Sequence, residues 1–263
     1  MKFSFIGAGN MASAIIDGIC RENLALPGDI CVSDKDSCKL NKFAEKGIAT
    51  SVSNAECAAF GDVIIIAVKP GIVSKIAPEI KNAAKNRLVV SIAAGISSDS
   101  LKSMLESERV VRIMPNTPAL VGEGMTAVCK TGGANDEDIA LVCNIFSSVG
   151  KTTLVSESQI DAVTAVSGSG PAYIYMVIEA LADGGVLCGL PRADAYALAA
   201  QTVLGSAKTV IETGIHPGEL KDMVCSPGGT TIEAVKVLEQ NSVRSAFIDA
   251  VVACCDKSRK MSQ

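Results

Sequence analysis

Two short stretches carry residues whose types and spacing could do chemistry. The first is GAGNMA, Gly7 to Ala12, directly after the apolar run KFSFI and at the start of a helix-like segment. It matches the GxGxxG/A pattern in the context that pattern requires. Gly7 permits a tight turn, Gly9 lets the backbone approach a pyrophosphate, and Ala12 is small enough for helix to lie on strand. Dinucleotide binding is the reading, with a tight turn in another α/β fold as the plain alternative. The second stretch is SPGGTT, Ser226 to Thr231, near the C-terminus and with no strand pattern before it. Free amides at a helix start attract anions, so the amides of Gly228, Gly229 and Thr230 and the hydroxyls of Ser226, Thr230 and Thr231 could hold a carboxylate. A glycine-rich cap on a structural helix is the alternative there.

Other residues fall around the first motif. Asp34 ends the second predicted strand, where an acidic side chain can accept both ribose hydroxyls of NAD, and Lys35 beside it could instead pair with the 2′-phosphate of NADP. Both could equally cap the helix that follows. Val68-Lys69-Pro70 and Ala93-Ala94-Gly95 each end a predicted strand, the edge at which open α/β sheets bind ligands. Asn116, in MPNTP, offers an amide that could bond a carboxamide or a ribose. No histidine and no cluster of acids lies beside SPGGTT. A ketone reductase usually needs a strong proton donor, whereas a C=N substrate that arrives protonated needs only hydride and a hydrogen bond.

The elements that must position these residues change character along the chain. Up to about residue 156, short apolar runs (KFSFI, ICVSD, DVIIIAV, RLVVSIAAG, VVRIM) alternate with helical stretches over 11–22, 37–46, 71–84 and 98–106. A further helix is expected over 136–148 and an edge strand over 151–156. Continuous apolar strands joined by helices predict a doubly wound α/β domain with a parallel sheet covered on both faces. Beyond it the pattern is all helical, over 170–187, 193–212, 218–224, 230–239 and 243–260. The stretch PAYIYMVIEALADGGVLCGL is apolar on nearly every side and asks to be covered, which favours an obligate dimer. The expected domains are therefore 1–156 for the dinucleotide and 157–263 for helical dimerisation and substrate binding.

Composition narrows the function classes. The 263 residues carry a net charge of −4 with three Tyr, six Phe and no Trp, which argues against a nucleic-acid partner. Apolar runs such as Val63 to Val68 are far below the roughly 20 residues of a membrane span, so no membrane is expected. The start, MKFSFIGAGNM, reads as a buried first strand and not as a cleavable signal. Ten cysteines are scattered without a CxxC pair, which fits reduced thiols in a cytoplasmic protein. A single histidine, His216, removes the usual zinc constellations and any His-dependent triad, so no metal is expected.

Taken in order, GAGNMA, AVKP, SIAAG, RIMPNTPAL, AVSGSGPAY, ADGGVLCGLPR and HPGELKDMVCSPGGTTIEAVKVLE resemble Δ1-pyrroline-5-carboxylate reductases over essentially the full length. The resemblance implies an N-terminal Rossmann domain and an all-α C-terminal dimerisation domain interlocked with that of a second subunit. It also implies reduction of a cyclic imine to L-proline with NADPH or NADH, as the last biosynthetic step, and dimers that can assemble into rings of five. By motif match it assigns cofactor contacts to Ala8, Asn10, Met11, Asn54, Val68, Lys69 and Ala94. Thr231 would bond the ring nitrogen, Thr230 and its backbone the carboxylate, and Glu157 would stand near the substrate. Asp34 departs from the pattern, since many members have a polar, uncharged residue there and prefer NADPH. Readings kept alongside are a reductase of a related cyclic imine acid or of a β-hydroxy acid, and a non-catalytic nucleotide-sensing scaffold. The β-hydroxy acid enzymes usually carry a catalytic Lys that AVSGSGPAY lacks.

Overall fold

A computed structural model of the chain describes residues 1–131 and 133–261. Eight strands, β1 (Phe3–Ile6), β2 (Ile30–Ser33), β3 (Ala49–Ser51), β4 (Val63–Ile66), β5 (Leu88–Ser91), β6 (Val110–Met114), β7 (Gly124–Cys129) and β8 (Gly150–Val155), make one sheet. Their order is β3-β2-β1-β4-β5-β6-β7-β8. The chain therefore runs outward from β1 in one direction, then returns past it and continues in the other. Helices α1 (Asn10–Arg21), α2 (Asn41–Ala44), α3 (Asn54–Phe60), α4 (Pro70–Ala84), α5 (Ser98–Leu105) and α6 (Asp136–Ser147) connect these strands or flank them.

The register explains why β1, β2, β4 and β5 are apolar but for the buried Ser4, Ser33 and Ser91. Phe5 pairs with Val32 on one side and Ile65 on the other, and all four strands are buried at every position. Successive side chains point to opposite faces, so each strand feeds two cores. Phe3, Phe5, Val32, Ile65 and Val90 meet the buried stripes of α1 and α6. Ile6, Cys31, Ile64, Ile66 and Val89 meet those of α3, α4 and α5.

The sheet is parallel except at one joint. β7 runs antiparallel to β6, with Ile113 opposite Val128, and β8 then runs parallel to β7 and forms the edge. The link from β6 to β7 is a single 3-10 turn, Thr117–Val121, too short for the crossover a parallel neighbour needs. The sequence pattern did not reveal β7, β3 or the seven-residue α3. The helix expected over 37–46 is a 3-10 turn, Ser37–Lys39, followed by the four-residue α2. After β8 come α7 (Ile160–Val163) and a π-helical turn, Thr164–Gly168.

The remaining helices are α8 (Gly170–Leu187), α9 (Arg192–Thr213), α10 (Pro217–Val224), α11 (Thr230–Gln240) and α12 (Val243–Met261). Contacts divide the chain into one unit of residues 1–169 with 254–263, and a second of residues 170–253. The second unit buries little of its own apolar surface. In α8 and α9 only Ala182, Ala195 and Ala199 are buried, α10 and α11 bury nothing, and Leu187 is 90% exposed.

Helix α1 lies so close to the turn after α6 that a Cβ on Gly18 would stand 2.5 Å from Val149 Cγ1 and 2.9 Å from the Ser148 carbonyl oxygen. Alanine in a helix interior gains about 1 kcal/mol over glycine, while overpacking against a fixed backbone costs about 1–3 kcal/mol. Contacts under 3 Å with both side chain and backbone put the cost at the upper end of that range, so Gly18→Ala lowers stability by up to about 2 kcal/mol. A thermal melt checks this, and an unchanged or raised Tm contradicts the packing account.

Candidate functional site

The first motif folds as its residue types demand. Gly7 has φ +111°, and a Cβ there would lie 2.4 Å from the Ala67 carbonyl oxygen, so no side chain fits between β1 and the end of β4. Its amide donates to the Ser33 carbonyl at 2.7 Å, tying the turn to β2 as well. Gly9 begins α1 with extended backbone, no side chain caps that helix, and a Cβ on Gly9 would meet nothing within 4 Å. The amides of Asn10 and Met11 therefore open a helix whose positive end is left to an outside anion.

A cleft of about 360 Å³ lies beside this turn. Of the sequence-assigned residues it is lined by Gly7, Gly9, Asp34, Lys35, Asn54, Val68 and Lys69. Ser33, Lys39, Ala67, Ile72 and Ile76 also line it, and sequence reading missed them. The two isoleucines had a legible signal, since they sit four apart on the predicted helix α4 and give the cleft an apolar wall. The glycine turn, the uncapped helix end, the apolar wall and the polar far end together fit a dinucleotide. Lys69 caps the N-terminus of α4, with Pro70 as its first residue.

Asp34 serves the turn directly. Its Oδ2 accepts the Ala8 amide at 3.0 Å, its Oδ1 accepts the Asp36 amide at 3.0 Å, and Lys39 Nζ lies 3.6 Å from Oδ1. Burial opposes its charge, but the Asp36 and Ala8 amides and then Lys39 outweigh burial and hold the carboxyl below its usual range. Asn54 is buried and accepts from Ser33 Oγ at 2.8 Å. Ala8 is buried behind the turn, while Met11 packs on the core. Ala93 and Ala94, after β5, do not line this cleft; Ala93 is buried, its amide on Ser91 Oγ at 3.3 Å.

Two sequence-assigned residues are engaged elsewhere. Asn116 is buried, donates from Nδ2 to the Ser167 carbonyl at 3.0 Å and accepts the Met125 amide at 2.8 Å. Its amide staples the β6–β7 joint to the π-helical turn, which uses the groups that sequence reading assigned to the cofactor. Glu157 Oε1 accepts the Ser98 amide at 2.7 Å and Arg112 Nη1 at 3.0 Å. Arg112 is buried, so this carboxylate balances a charge within β6 and caps α5. Burial pushes the Glu157 pKa up, and the Ser98 and Arg112 bonds more than reverse it, leaving it lowered.

The second motif lies within residues 170–253 and is a turn leading into α11. Gly228 has φ +67°, and the Gly229 amide donates to the Ser226 carbonyl at 3.0 Å. That amide closes the turn, so it is not among the donors left for an anion. Gly229 is the N-cap and has no side chain to offer, which leaves the first-turn amides of Thr230 and Thr231 pointing out of the helix end. Thr231 is half-buried and Thr230 exposed. His216 caps α10, its Nδ1 accepting the Gly218 amide at 3.1 Å.

Among the described residues no group of His, Cys, Asp or Glu is placed to hold a metal, and no helix is long and apolar enough to cross a membrane. Residues 157–261 match the family described as pyrroline-5-carboxylate reductase dimerisation, and residues 2–95 that described as NADP oxidoreductase, coenzyme F420-dependent. The pyrroline-5-carboxylate reductase of Escherichia coli strain K12 is 50% identical over 265 residues, covering 100% of this chain and 98% of that protein. A solved pyrroline-5-carboxylate reductase from Coxiella burnetii matches with a TM-score of 0.93 at 36% identity, covering 100% of this chain and 98% of its own. A Plasmodium falciparum pyrroline carboxylate reductase, solved with NADP bound, matches with a TM-score of 0.89 at 36% identity and the same coverage, 100% and 98%.

The Glu157–Arg112 pair sets a pH dependence. A carboxyl whose pKa is lower folded than unfolded stabilises fully above its ordinary value, about 4.3, and loses that contribution as pH falls through the folded value. Glu157→Gln should destabilise by about 1–2 kcal/mol at pH 7, a modest figure because the carboxyl is one-third exposed. The gap to the unaltered protein should close as the pH drops below 4.3. Melts across pH 3–7 check this, and a gap that is constant with pH contradicts it.

Proposed function

The chain belongs to the pyrroline-5-carboxylate reductase family, and from that premise we propose how its residues divide the work of the reaction. The reaction is hydride transfer from NAD(P)H to the C=N bond of 1-pyrroline-5-carboxylate, giving L-proline in the last step of proline biosynthesis. The observation that carries the residue assignment is the pair of uncapped helix ends, α1 after Gly9 and α11 after Gly229. Each presents free amides to an anion.

Gly7, Ala8, Gly9, Asn10 and Met11 would hold the pyrophosphate, Asp34, Lys35 and Asn54 the adenosine ribose, and Val68, Lys69 and Pro70 the cleft rim. Ala93 and Ala94 would lie along the same strand edge. When bound, the cofactor supplies the hydride. The chain's own residues supply position and a hydrogen bond. Thr230 and Thr231 amides, with the Ser226 hydroxyl and the Gly228 amide, would fix the substrate carboxylate and so select one face of the ring, Gly229 serving by closing the turn that presents them. The Thr231 hydroxyl would bond the ring nitrogen as it becomes an amine. A protonated imine carries its own proton, so the absence of a general acid beside the loop fits this substrate. Residues 157–263 form the helical, substrate-binding and dimerising half in this reading, and 1–156 the dinucleotide half.

The apolar faces of α8 to α11 support a homodimer, since Met176, Leu187, Ile211 and Met223 are each more than two-thirds exposed on a single chain. We place five such dimers in a ring and the enzyme in the cytoplasm, where ten free thiols are at home.

Purified protein given racemic pyrroline-5-carboxylate should oxidise NADPH or NADH and yield L-proline on chiral analysis. Thr231→Ala should lower kcat about tenfold, the loss expected for one hydrogen bond to a group gaining electrons, while Thr231→Ser retains most of it. An unchanged kcat in Thr231→Ala contradicts the assigned role.

A further inference from the structure

Just behind the polar end of the cleft stands a carboxylate that neither motif accounts for. Glu79 lies on α4 three residues after Ile76 and seven after Ile72, on the stripe that forms the apolar wall of the cleft. Its Oε2 accepts Asn54 Nδ2 at 2.9 Å, and its Oε1 stands 3.9 Å from Lys35 Nζ. Asn54 is 4% exposed, and both Asn54 and Lys35 line the cleft. Glu79 thus touches two lining residues while standing just behind them.

Each lysine at this end has a carboxylate partner. Lys39 lies 3.6 Å from Asp34 and 3.9 Å from Asp36, and Lys35 lies 3.9 Å from Glu79, so the pairs to be disturbed are Lys39–Asp34 and Lys35–Glu79. An uncharged ribose diol needs acceptors and leaves both pairs in place. A ribose 2′-phosphate brings nearly two negative charges and needs cations, so it must draw the lysines off carboxylates that also repel it. Asp34 is already fixed by two backbone amides. Lys35 is the more exposed cation, its side chain 76% exposed against 51% for Lys39, and Glu79 is the carboxylate it pairs with, at 3.9 Å.

We propose that Glu79 is a specificity-determining positioning residue: by holding the Lys35 ammonium away from the ribose, it makes the enzyme discriminate against a 2′-phosphorylated dinucleotide. The inference rests on the cleft being the cofactor site. Because the Lys35–Glu79 pair is largely in solvent, its effect is modest and screened by salt.

The test is direct titration of the full-length protein with NADH and with NADPH, followed by nicotinamide fluorescence, at low and high salt. Glu79→Gln keeps an acceptor for Asn54 but removes the charge. It should lower the ratio of the NADPH Kd to the NADH Kd by about three- to fivefold at low salt, and by less at high salt. Lys35→Ala should raise the same ratio. A Glu79→Gln ratio that is unchanged, or a loss of affinity equal for both dinucleotides, overturns the proposal. Asp34→Ala separates the two levels of the argument. If it alters NADH binding while Glu79→Gln leaves the ratio alone, the cleft assignment survives and the role of Glu79 falls; if neither variant alters either Kd, both fall.

Discussion

The dinucleotide end of the molecule depends on one close approach, that of the Gly7 backbone to the Ala67 carbonyl. A Cβ on Gly7 would stand 2.4 Å from that oxygen, so the end of β1 can pass the end of β4 only as bare backbone. The turn so formed places the Ala8 amide on Asp34 and the Gly7 amide on Ser33, both at the end of β2. It also aims α1 so that its uncapped N-terminus opens on the cleft. Asp34 is consequently part of the scaffold of the site before it is part of any ribose contact. That double duty gives a physical reason for an acidic residue here that is independent of which dinucleotide the enzyme uses.

A different constraint governs residues 170–253. A single chain there buries three alanines of α8 and α9 and leaves Leu187, Ile211 and Met176 open to water. Helices of this composition gain their stability from burial more than from propensity, so a second copy is the natural source of that burial. In the proposed reading, dimerisation and substrate binding share one set of helices, because α11 both presents an apolar face and opens with the uncapped Gly228–Gly229 turn. Loss of the dimer would be expected to loosen the Ser226–Thr231 turn along with the helices that carry it.

Much of this was legible before any coordinates, and the exceptions have physical reasons. The buried strands β1, β2, β4 and β5 and the long helices follow from apolar period, and the two glycine motifs from the special backbone they require. β7 escaped because GMTAVC is short and starts at a glycine, and β3 because ATS has no apolar run. Asn116, read from its loop, and Glu157, assigned through the resemblance, make bonds within the fold that no sequence pattern shows: Asn116 to Ser167 and Met125, and Glu157 Oε1 to Ser98 and Arg112. The Gly229 amide was counted as a donor to substrate, but a closed turn needs it for Ser226. Glu79 escapes a sequence reading because its partners, Asn54 and Lys35, lie on elements far away in the chain, and Lys39 because no sequence pattern shows its ammonium turning back toward Asp34.

The reaction delivers hydride directly from the dinucleotide to the imine carbon. Turnover with NADPH or NADH carrying deuterium at the transferred position of the nicotinamide, with the product examined by NMR, tests this step. Direct transfer predicts L-proline with one deuterium on the former imine carbon and none exchanged with water. Proline without deuterium at that carbon, or cofactor oxidation without proline, would contradict it.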